Sequence, residues 1–152
     1  MRAMVFRKVG EPLRLEDIAR PEPGPWDVLI RVEACGVCRT DLHIADGDLT
    51  EAAAPLIPGH EIVGRIMAMG SRVEGLGTGL RVGVPWLGAT CRHCRYCREG
   101  QENLCDAPVF TGYTRNGGFA EFCLADGRYV FRLDGDASPV QLAPLLCAGL
   151  IG

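Results

Sequence analysis

Short apolar runs separated by glycine and proline dominate the first two-thirds of the chain. They are rich in Val, Ile and Leu and occupy residues 3–6, 13–18, 28–34, 62–69 and 80–85. Apolar runs of this length bounded by turn-forming residues are typical of β-strands. Residues 21–27 (PEPGPWD) contain three prolines, which lack a backbone donor, so this stretch is predicted to be a loop.

Two further strands and two helical segments are predicted from the remaining pattern. Residues 119–124 and 129–133 are expected to form a pair joined by residues 125–128. Residues 38–45 predict a helix of two turns that stops near Gly47. Ser138 and Pro139 suit a helix start, and Pro144 argues that the element is short or kinked, although leucines follow at helical spacing: Leu142, Leu145, Leu146 and Leu150. The pattern therefore indicates one mainly β domain, a small barrel with short helices.

Composition and charge exclude several classes of function. The chain has 152 residues, 47% of them hydrophobic and 23% charged, as in an ordinary globular domain. The formal net charge of −3, with both signs mixed, argues against a nucleic-acid partner. No signal-peptide core and no run of eighteen apolar residues is present, so no membrane partner is expected. Eight cysteines without a secretory signal favour metal or catalytic thiols in a reducing, cytoplasmic location.

Four of the cysteines lie within fifteen residues, in the run Cys91-x2-Cys94-x2-Cys97-x7-Cys105. Four thiolates can close a tetrahedron around zinc and leave no open position, so residues 91–105 predict a structural zinc lobe. Three arginines among the ligands can offset the negative charge of the lobe: Arg92, Arg95 and Arg98. His93 is expected to face solvent, because four sulfurs already suffice.

An iron–sulfur cluster is the main alternative for this lobe. The bacterial ferredoxin run is C-x2-C-x2-C-x3-C-P, whereas here seven residues precede the fourth cysteine and Asp106 follows it. The spacing therefore favours zinc over a cluster. Reduced or disulfide-paired cysteines are the remaining alternative.

A second, sparser set of metal-ligand types predicts an open site, centred on Cys38 and His60. Cys38 is expected in the first helical turn, where the helix dipole favours a thiolate. Asp41 is a carboxylate suited to hold a ligating histidine in one tautomer. A catalytic zinc needs a third protein ligand, and Cys147 is the best free candidate, although spacing alone does not choose it over Cys123.

The neighbouring residues are open to more than one interpretation. Thr40 and His43 are three residues apart and share a helical face, so a hydroxyl near the metal could pass a proton towards the imidazole. Cys35 and Cys38 form a CxxC that could also be a redox pair or two buried thiols. Glu61 directly follows His60.

These motifs together resemble the zinc-containing alcohol dehydrogenases of the medium-chain dehydrogenase/reductase superfamily. The resemblance rests on CGVCRTDLH at residues 35–43, on GHExxG at residues 59–64 and on the four-cysteine lobe. It covers the whole chain and corresponds to the amino-terminal catalytic domain of that family. It implies a GroES-like β-barrel over residues 1–152, with a zinc-pinned loop.

The resemblance also implies a role for each matching residue. The catalytic zinc ligands would be Cys38, His60 and Cys147, and the structural zinc ligands Cys91, Cys94, Cys97 and Cys105. Asp41 would support His60, while Thr40 and His43 would form the proton relay. Arg39 would meet the cofactor pyrophosphate, with His43 on the cofactor side. Glu61 would sit behind the catalytic zinc and could enter its shell during ligand exchange. Thr40 and Trp86 would border the substrate pocket, although a tryptophan is often plain core.

Hydride transfer requires NAD or NADP, yet the chain has no G-x-G-x-x-G after a strand. In the family a Rossmann domain follows the third zinc ligand, so that domain is expected as a missing partner, and the chain alone is expected to be inactive. The implied activity is oxidation of a small alcohol to an aldehyde or ketone, in an enzyme expected to be a homo-oligomer. The alternative is a non-catalytic zinc-binding GroES-like module.

Overall fold

The computed structural model describes residues 1–50, 52 and 54–151, and it leaves the side chains of residues 150 and 151 undescribed. The contribution expected of Leu150 therefore lies outside the described part. The strands are β1 (Arg2–Val5), β2 (Arg14–Asp17), β3 (Asp27–Gly36), β4 (Glu61–Met69), β5 (Arg81–Val84), β6 (Leu87–Ala89), β7 (Val109–Phe110), β8 (Phe122–Asp126) and β9 (Phe131–Arg132). The α-helices are α1 (Arg39–Asp46), α2 (Arg95–Arg98), α3 (Pro139–Leu142) and α4 (Ala148–Ile151), and 3-10 turns cover Glu102–Leu104 and Ala143–Leu146.

The central sheet contains five antiparallel strands in the order β8-β3-β4-β5-β9. The residues of its main core lie at alternate positions, so they occupy one face of each strand. They are Val28, Ile30, Ile62, Ile66, Val82, Val84, Cys123 and Ala125. The strands predicted at residues 3–6, 13–18, 28–34, 62–69 and 80–85 are confirmed as β1 to β5, and the mainly β class with them.

The pairing of the last two predicted strands is wrong. Residues 119–124 and 129–133 were expected to pair with each other, but β8 pairs with β3 and β9 pairs with β5, at opposite edges of the sheet. Only residues 127–130 connect these edges, and the Tyr129 N–H donates to the Asp126 carbonyl at 2.9 Å in a tight turn. A flat sheet would separate the edges by about 19 Å. The sheet therefore curls into a barrel, which is why sequence neighbours occupy opposite edges.

Several short elements were not predicted. The β6–β7 pair connects residues on either side of the four-cysteine segment, and α2 and the turn Glu102–Leu104 lie within it. These elements have two to four residues each, too short for a hydrophobic period to be recognised. The cysteine segment is therefore a loop that leaves the barrel at β6 and returns at β7.

Helix α1 matches the segment predicted at residues 38–45 to within one residue, with one correction. Cys38 is the N-cap and not part of the first turn. Gly47 closes the helix at φ 84°, a left-handed conformation that glycine adopts without steric cost. The apolar anchor of α1 is Ile44, which is fully buried.

The ends of β3 and β4 bring the open site together. Gly36 at the end of β3 lies opposite Glu61 at the start of β4, after two register shifts in this strand pair. Cys38 follows the first strand and His60 precedes the second, so the antiparallel pairing places both at one end of the barrel. Sequence neighbours of the strand ends thus become spatial neighbours.

The carboxyl-terminal segment packs back onto the same strands. Its start is confirmed at Ser138, whose hydroxyl accepts from the Gln141 N–H at 3.3 Å, and Pro139 occupies the first turn. The helix then tightens into a 3-10 turn that contains Pro144, as that proline predicted. This turn contacts β3, β4 and β5 and leads directly to Cys147.

Candidate metal centre

The four cysteines of residues 91–105 converge on one point. Their sulfur atoms all lie within 4.8 Å of one another, and the sulfurs of Cys91 and Cys97 are 3.9 Å apart. A zinc ion with bonds of about 2.3 Å to four sulfurs requires sulfur–sulfur distances of about 3.8 Å. The lobe therefore has the dimensions of a closed tetrahedral site for a single ion. A cluster of several irons would hold the sulfurs farther apart.

Backbone N–H groups surround the sulfurs of this lobe. The N–H of Cys94 points at the sulfur of Cys91 at 3.3 Å, and those of Cys91 and Ala107 point at the sulfur of Cys105 at 3.3 and 3.4 Å. Such donors stabilise a thiolate. The backbone N–H groups of Asp106 and Cys97 lower the pKa of the Cys94 thiol to about 6. Cys94 is thus suited to bind a cation near neutral pH.

The charged residues of the lobe face outward. Arg92, Arg95 and Arg98 are exposed, so they can offset the thiolate charge only through solvent. His93 is also exposed, and its Nδ1 lies 2.8 Å from the Cys91 carbonyl oxygen, away from the sulfur group. The expectation that His93 faces solvent is confirmed.

A second group of possible ligands combines residues from three parts of the chain. These residues, called the metal group below, are Cys38, His60, Glu61 and Cys147. One donor atom from each lies within 4.8 Å of the others. These four come from the N-cap of α1, the start of β4 and the junction between the last 3-10 turn and α4. Cys123, the alternative third thiol, lies in the main core instead.

His60 carries the strongest sign that this group accommodates a metal. The residue is 0% exposed, and neither Nδ1 nor Nε2 has a hydrogen-bond partner within the described part of the chain. Buried polar atoms almost always have partners, and an imidazole with both nitrogens unsatisfied is costly. A metal ion bound to one nitrogen would remove half of that cost, so a zinc ion fits here.

Asp41 holds the surroundings of His60 in place. Its Oδ2 accepts from the Cys38 N–H at 2.8 Å, and its Oδ1 accepts from the Gly59 N–H at 3.0 Å. The same Oδ1 lies 3.6 Å from His60 Nδ1. Asp41 therefore links the cap of α1 to the loop before His60, and its carboxylate faces the nitrogen that a metal on Nε2 would leave free.

Cys38 and His60 shift each other's pKa, because the thiol and the imidazole lie side by side. Burial alone would raise the pKa of the Cys38 thiol, but hydrogen bonds from Thr40 and the proximity of the His60 ring bring that pKa below its ordinary value. Burial alone would lower the pKa of His60, but the Asp41 carboxylate and Cys38 raise it. The thiolate that a metal needs is thus favoured at this position.

The expected relay residues lie at different depths. Thr40 Oγ1 is 3.7 Å from the Cys38 sulfur, so this hydroxyl borders the metal group. His43 lies one turn farther along α1, 38% exposed at its side chain, with Nδ1 2.7 Å from Asp48 Oδ2. Arg39 is exposed, and among the described residues its side chain has no hydrogen bond or ion pair.

Trp86 adjoins the metal group and belongs to a stack of aromatic rings. Its indole meets the His60 ring edge-on with centroids 4.9 Å apart. The rings of Phe110 and Tyr113 stack on it at 4.7 and 5.7 Å. Trp86 thus serves the core and borders the site at once. The sequence carried no signal for Phe110 and Tyr113, because only the fold brings them to Trp86.

The remaining two cysteines are buried thiols. Cys35 packs against the main core, and burial raises its pKa above the ordinary thiol value. Complete burial raises the pKa of Cys123 to about 12. Of the two cysteines in the CxxC, Cys38 joins the metal group and Cys35 does not. The structure therefore favours a buried thiol at Cys35 over a redox pair.

Comparison with known proteins identifies the class. Residues 24–135 match the family of the alcohol dehydrogenase GroES-like domain, so the chain belongs to that family. An alcohol dehydrogenase of Rhizobium meliloti (strain 1021) is 48% identical over 151 residues, which cover 99% of this chain and 44% of that protein. The chain thus spans less than half the length of such relatives.

Two solved structures have the same fold. The alcohol dehydrogenase of the hyperthermophilic archaeon Aeropyrum pernix superimposes with a TM-score of 0.87 at 36% identity, covering 99% of this chain and 45% of that one. The CAD of Helicobacter pylori, solved with NADP(H), gives a TM-score of 0.87 at 34% identity, covering 97% of this chain and 45% of that one. The expected GroES-like fold is confirmed. No helix in the described part of the chain is long and apolar enough to cross a membrane.

Proposed function

We propose that this chain is the zinc-holding catalytic domain of an NAD- or NADP-dependent alcohol dehydrogenase, which oxidises an alcohol to an aldehyde or ketone. The observation that carries the proposal is the buried His60, unpartnered at both nitrogens and grouped with two thiols beside the Asp41 carboxylate. A domain that only needed to fold would place an apolar residue there.

In this proposal Cys38, His60 and Cys147 hold one zinc ion, and the four-cysteine lobe holds another. Zinc at the first site supplies Lewis acidity that lowers the pKa of a bound alcohol. The lobe has no open position, so it stabilises the fold and takes no part in the chemistry. The dimensions of the two sulfur groups support both assignments.

The residues of this chain then orient the alcohol and remove its proton. Thr40 borders the metal group, where its hydroxyl accepts a proton from the alcohol and passes one on. His43 takes that proton towards solvent, which its exposure and its contact with Asp48 permit. Trp86 forms one wall of the substrate pocket beside His60. Glu61 would lie beside the ion, where its carboxylate could enter the shell during ligand exchange.

The nicotinamide cofactor requires a partner domain. Arg39, exposed at the start of α1, is available to meet a pyrophosphate, with His43 on the same helix. A glycine-rich loop and a helix N-terminus would come from a Rossmann domain elsewhere in the native protein. The homo-oligomeric state and the cytosolic location stay predictions.

The test uses the native-length protein that contains this chain. We expect elemental analysis to find two zinc ions per chain, and alcohol-dependent reduction of NAD or NADP to require the ion at His60. His60→Ala should lose one zinc ion and the activity, while the exposed control His93→Ala keeps both. A native protein with two zinc ions and no alcohol-dependent reduction of either cofactor would instead support the non-catalytic module.

A further inference from the structure

Glu61 is a buried carboxylate that contacts the segment carrying Cys147. It is 1% exposed at the first position of β4. Its Oε1 accepts a hydrogen bond from the Ala148 N–H at 3.1 Å, across 87 positions of sequence. Ala148 directly follows Cys147. This hydrogen bond therefore ties the residue after a proposed zinc ligand to the central sheet.

The position of the carboxylate depends on a glycine in the facing strand. Gly36 lies opposite Glu61 in the β3–β4 pairing. A β-carbon at Gly36 would lie 2.0 Å from Glu61 Oε2 and 3.1 Å from its Cδ. No side chain other than hydrogen leaves room there. The carboxylate thus occupies the space that the missing side chain of Gly36 provides.

On the other side of Cys147, Leu146 packs against the sheet. Leu146 lies over Gly83 of β5, where a β-carbon would approach the leucine methyl carbons to 2.7 Å. Between these two contacts the chain turns sharply, because Cys147 has φ −151° and ψ −94° between the 3-10 turn and α4. The Cys147 N–H donates only to the nearby Pro144 carbonyl at 3.2 Å, within the same turn. Among the residues that the structure describes, Glu61 therefore provides the side-chain hydrogen bond that joins this turn to the sheet.

We propose that Glu61 is a positioning residue that holds the Cys147 thiol at the metal site through the Ala148 N–H, and that Gly36 provides the space for it. The inference rests on the proposed zinc site. It gives Glu61 a role in holding the Cys147 segment, in addition to its position near the metal. It also explains why a buried acid directs one oxygen towards a backbone donor.

The first experiment tests the hydrogen bond from Ala148 to Glu61 in the native-length, zinc-loaded protein. Glu61→Ala should speed hydrogen exchange at the Ala148 amide by roughly 10-fold, the expected effect of losing one hydrogen bond. It should also speed zinc release from the open site to a chelator. Glu61→Gln keeps a carbonyl acceptor and should restore most of the protection. Unchanged exchange at Ala148 in Glu61→Ala would overturn the proposal.

The second experiment tests the role of Gly36. Gly36→Ala leaves the carboxylate in the chain but displaces it, so it should reproduce the Ala148 exchange of Glu61→Ala. The double variant should exchange no faster than Glu61→Ala alone, because both changes remove the same contact. Gly77→Ala is the matched control, since a β-carbon there meets nothing within 4 Å. Additive effects in the double variant would refute the link between Gly36 and Glu61.

A spectroscopic measurement distinguishes positioning from general stability. With cobalt in the open site, loss of the Cys147 thiolate changes the ligand-to-metal absorption, whereas a global loss of stability leaves the folded spectrum unchanged. We expect Glu61→Ala and Gly36→Ala to alter this spectrum and Gly77→Ala to preserve it. A wild-type spectrum without thiolate bands would contradict the proposed zinc site, while Ala148 exchange would still test the hydrogen bond from Glu61.

Discussion

The sulfur atoms of Cys38 and Cys147 lie 4.0 Å apart, although 109 positions separate the two residues in sequence. This distance is close to the edge of about 3.8 Å that two thiolates share on one zinc ion. One sulfur belongs to the cap of α1 and the other to the carboxyl-terminal turn. A metal bound between them would therefore connect the cap of α1 to the carboxyl-terminal turn.

Asp41→Ala should weaken zinc at the open site by about 10–100-fold and leave the four-cysteine lobe unaffected. The change removes the carboxylate beside His60 and the acceptor of the Cys38 and Gly59 N–H groups. The variant also loses the hydrogen bond from the Cys38 N–H that caps α1, which should cost about 1 kcal/mol of stability. Chelator competition measures both sites. The variant Asp41→Asn, which keeps an oxygen acceptor, should be affected less, and equal zinc affinity in all three proteins would contradict the role of Asp41.

Cys97→Ser should release the zinc of the closed lobe and make residues 91–105 sensitive to protease. All four ligands lie in one loop, so metal binding there is also local folding free energy. Zinc content and limited proteolysis measure the effect. His93→Ala is the control, because His93 lies outside the sulfur group and should leave both readouts unchanged. A Cys97→Ser protein with full zinc content and an intact loop would disprove the structural site.

Cys123 should resist alkylation for as long as the domain is folded. Complete burial raises the pKa of this thiol to about 12, so near pH 8 only about one molecule in ten thousand carries the thiolate. Cys35 should behave similarly, since burial raises its pKa as well. Mass spectrometry after brief iodoacetamide treatment, with and without urea, locates the modified residues. Rapid modification of Cys123 in the folded protein would contradict its place in the core.

Asp126 should make stability depend on pH in the acidic range. Burial alone would raise the pKa of its carboxyl, but the Arg128 guanidinium, with Nε 2.8 Å from Oδ1, lowers it. A lowered pKa in the folded state adds stability above the ordinary value of about 4, and that stability is lost as the pH falls through the folded-state value.

The variant Asp126→Asn isolates this contribution. At neutral pH its free energy of unfolding should be about 1–2 kcal/mol lower than that of the parent. The difference should vanish at strongly acidic pH, where the parent carboxyl is protonated too. Urea unfolding at a series of pH values gives both curves. A difference that persists unchanged in acid would show that Asp126 acts by packing and not by charge.

Trp86→Leu should shift the proposed alcohol dehydrogenase towards bulkier substrates. The indole meets the His60 ring, so a smaller side chain widens the wall beside the metal. The ratio of kcat/KM for a branched alcohol to that for a short one should rise by roughly 10–100-fold. Trp26→Phe is the control, because Trp26 lies at the surface between Arg72 and Arg128. An unchanged ratio would show that Trp86 does not line the substrate pocket.

Local sequence determined the features whose parts lie close together along the chain. The grouping of Cys91, Cys94, Cys97 and Cys105 could be predicted because the four cysteines fall within fifteen residues. The strands β1 to β5 followed from apolar runs between glycines and prolines, and α1 from its short helical pattern and Gly47. Each of these features depends on interactions between residues that are close in sequence, so the spacing of residue types is enough to predict it.

Tertiary structure alone decided the features that join distant residues. Spacing could not choose between Cys123 and Cys147, and only the return of the carboxyl-terminal turn to the sheet places the second at the metal group. The predicted pairing of β8 with β9 was wrong because barrel closure brings sequence neighbours to opposite edges. The Glu61 contacts with Gly36 and Ala148 likewise depend on strand register. Register and closure are set by how the whole core packs, and no short stretch of sequence contains that information.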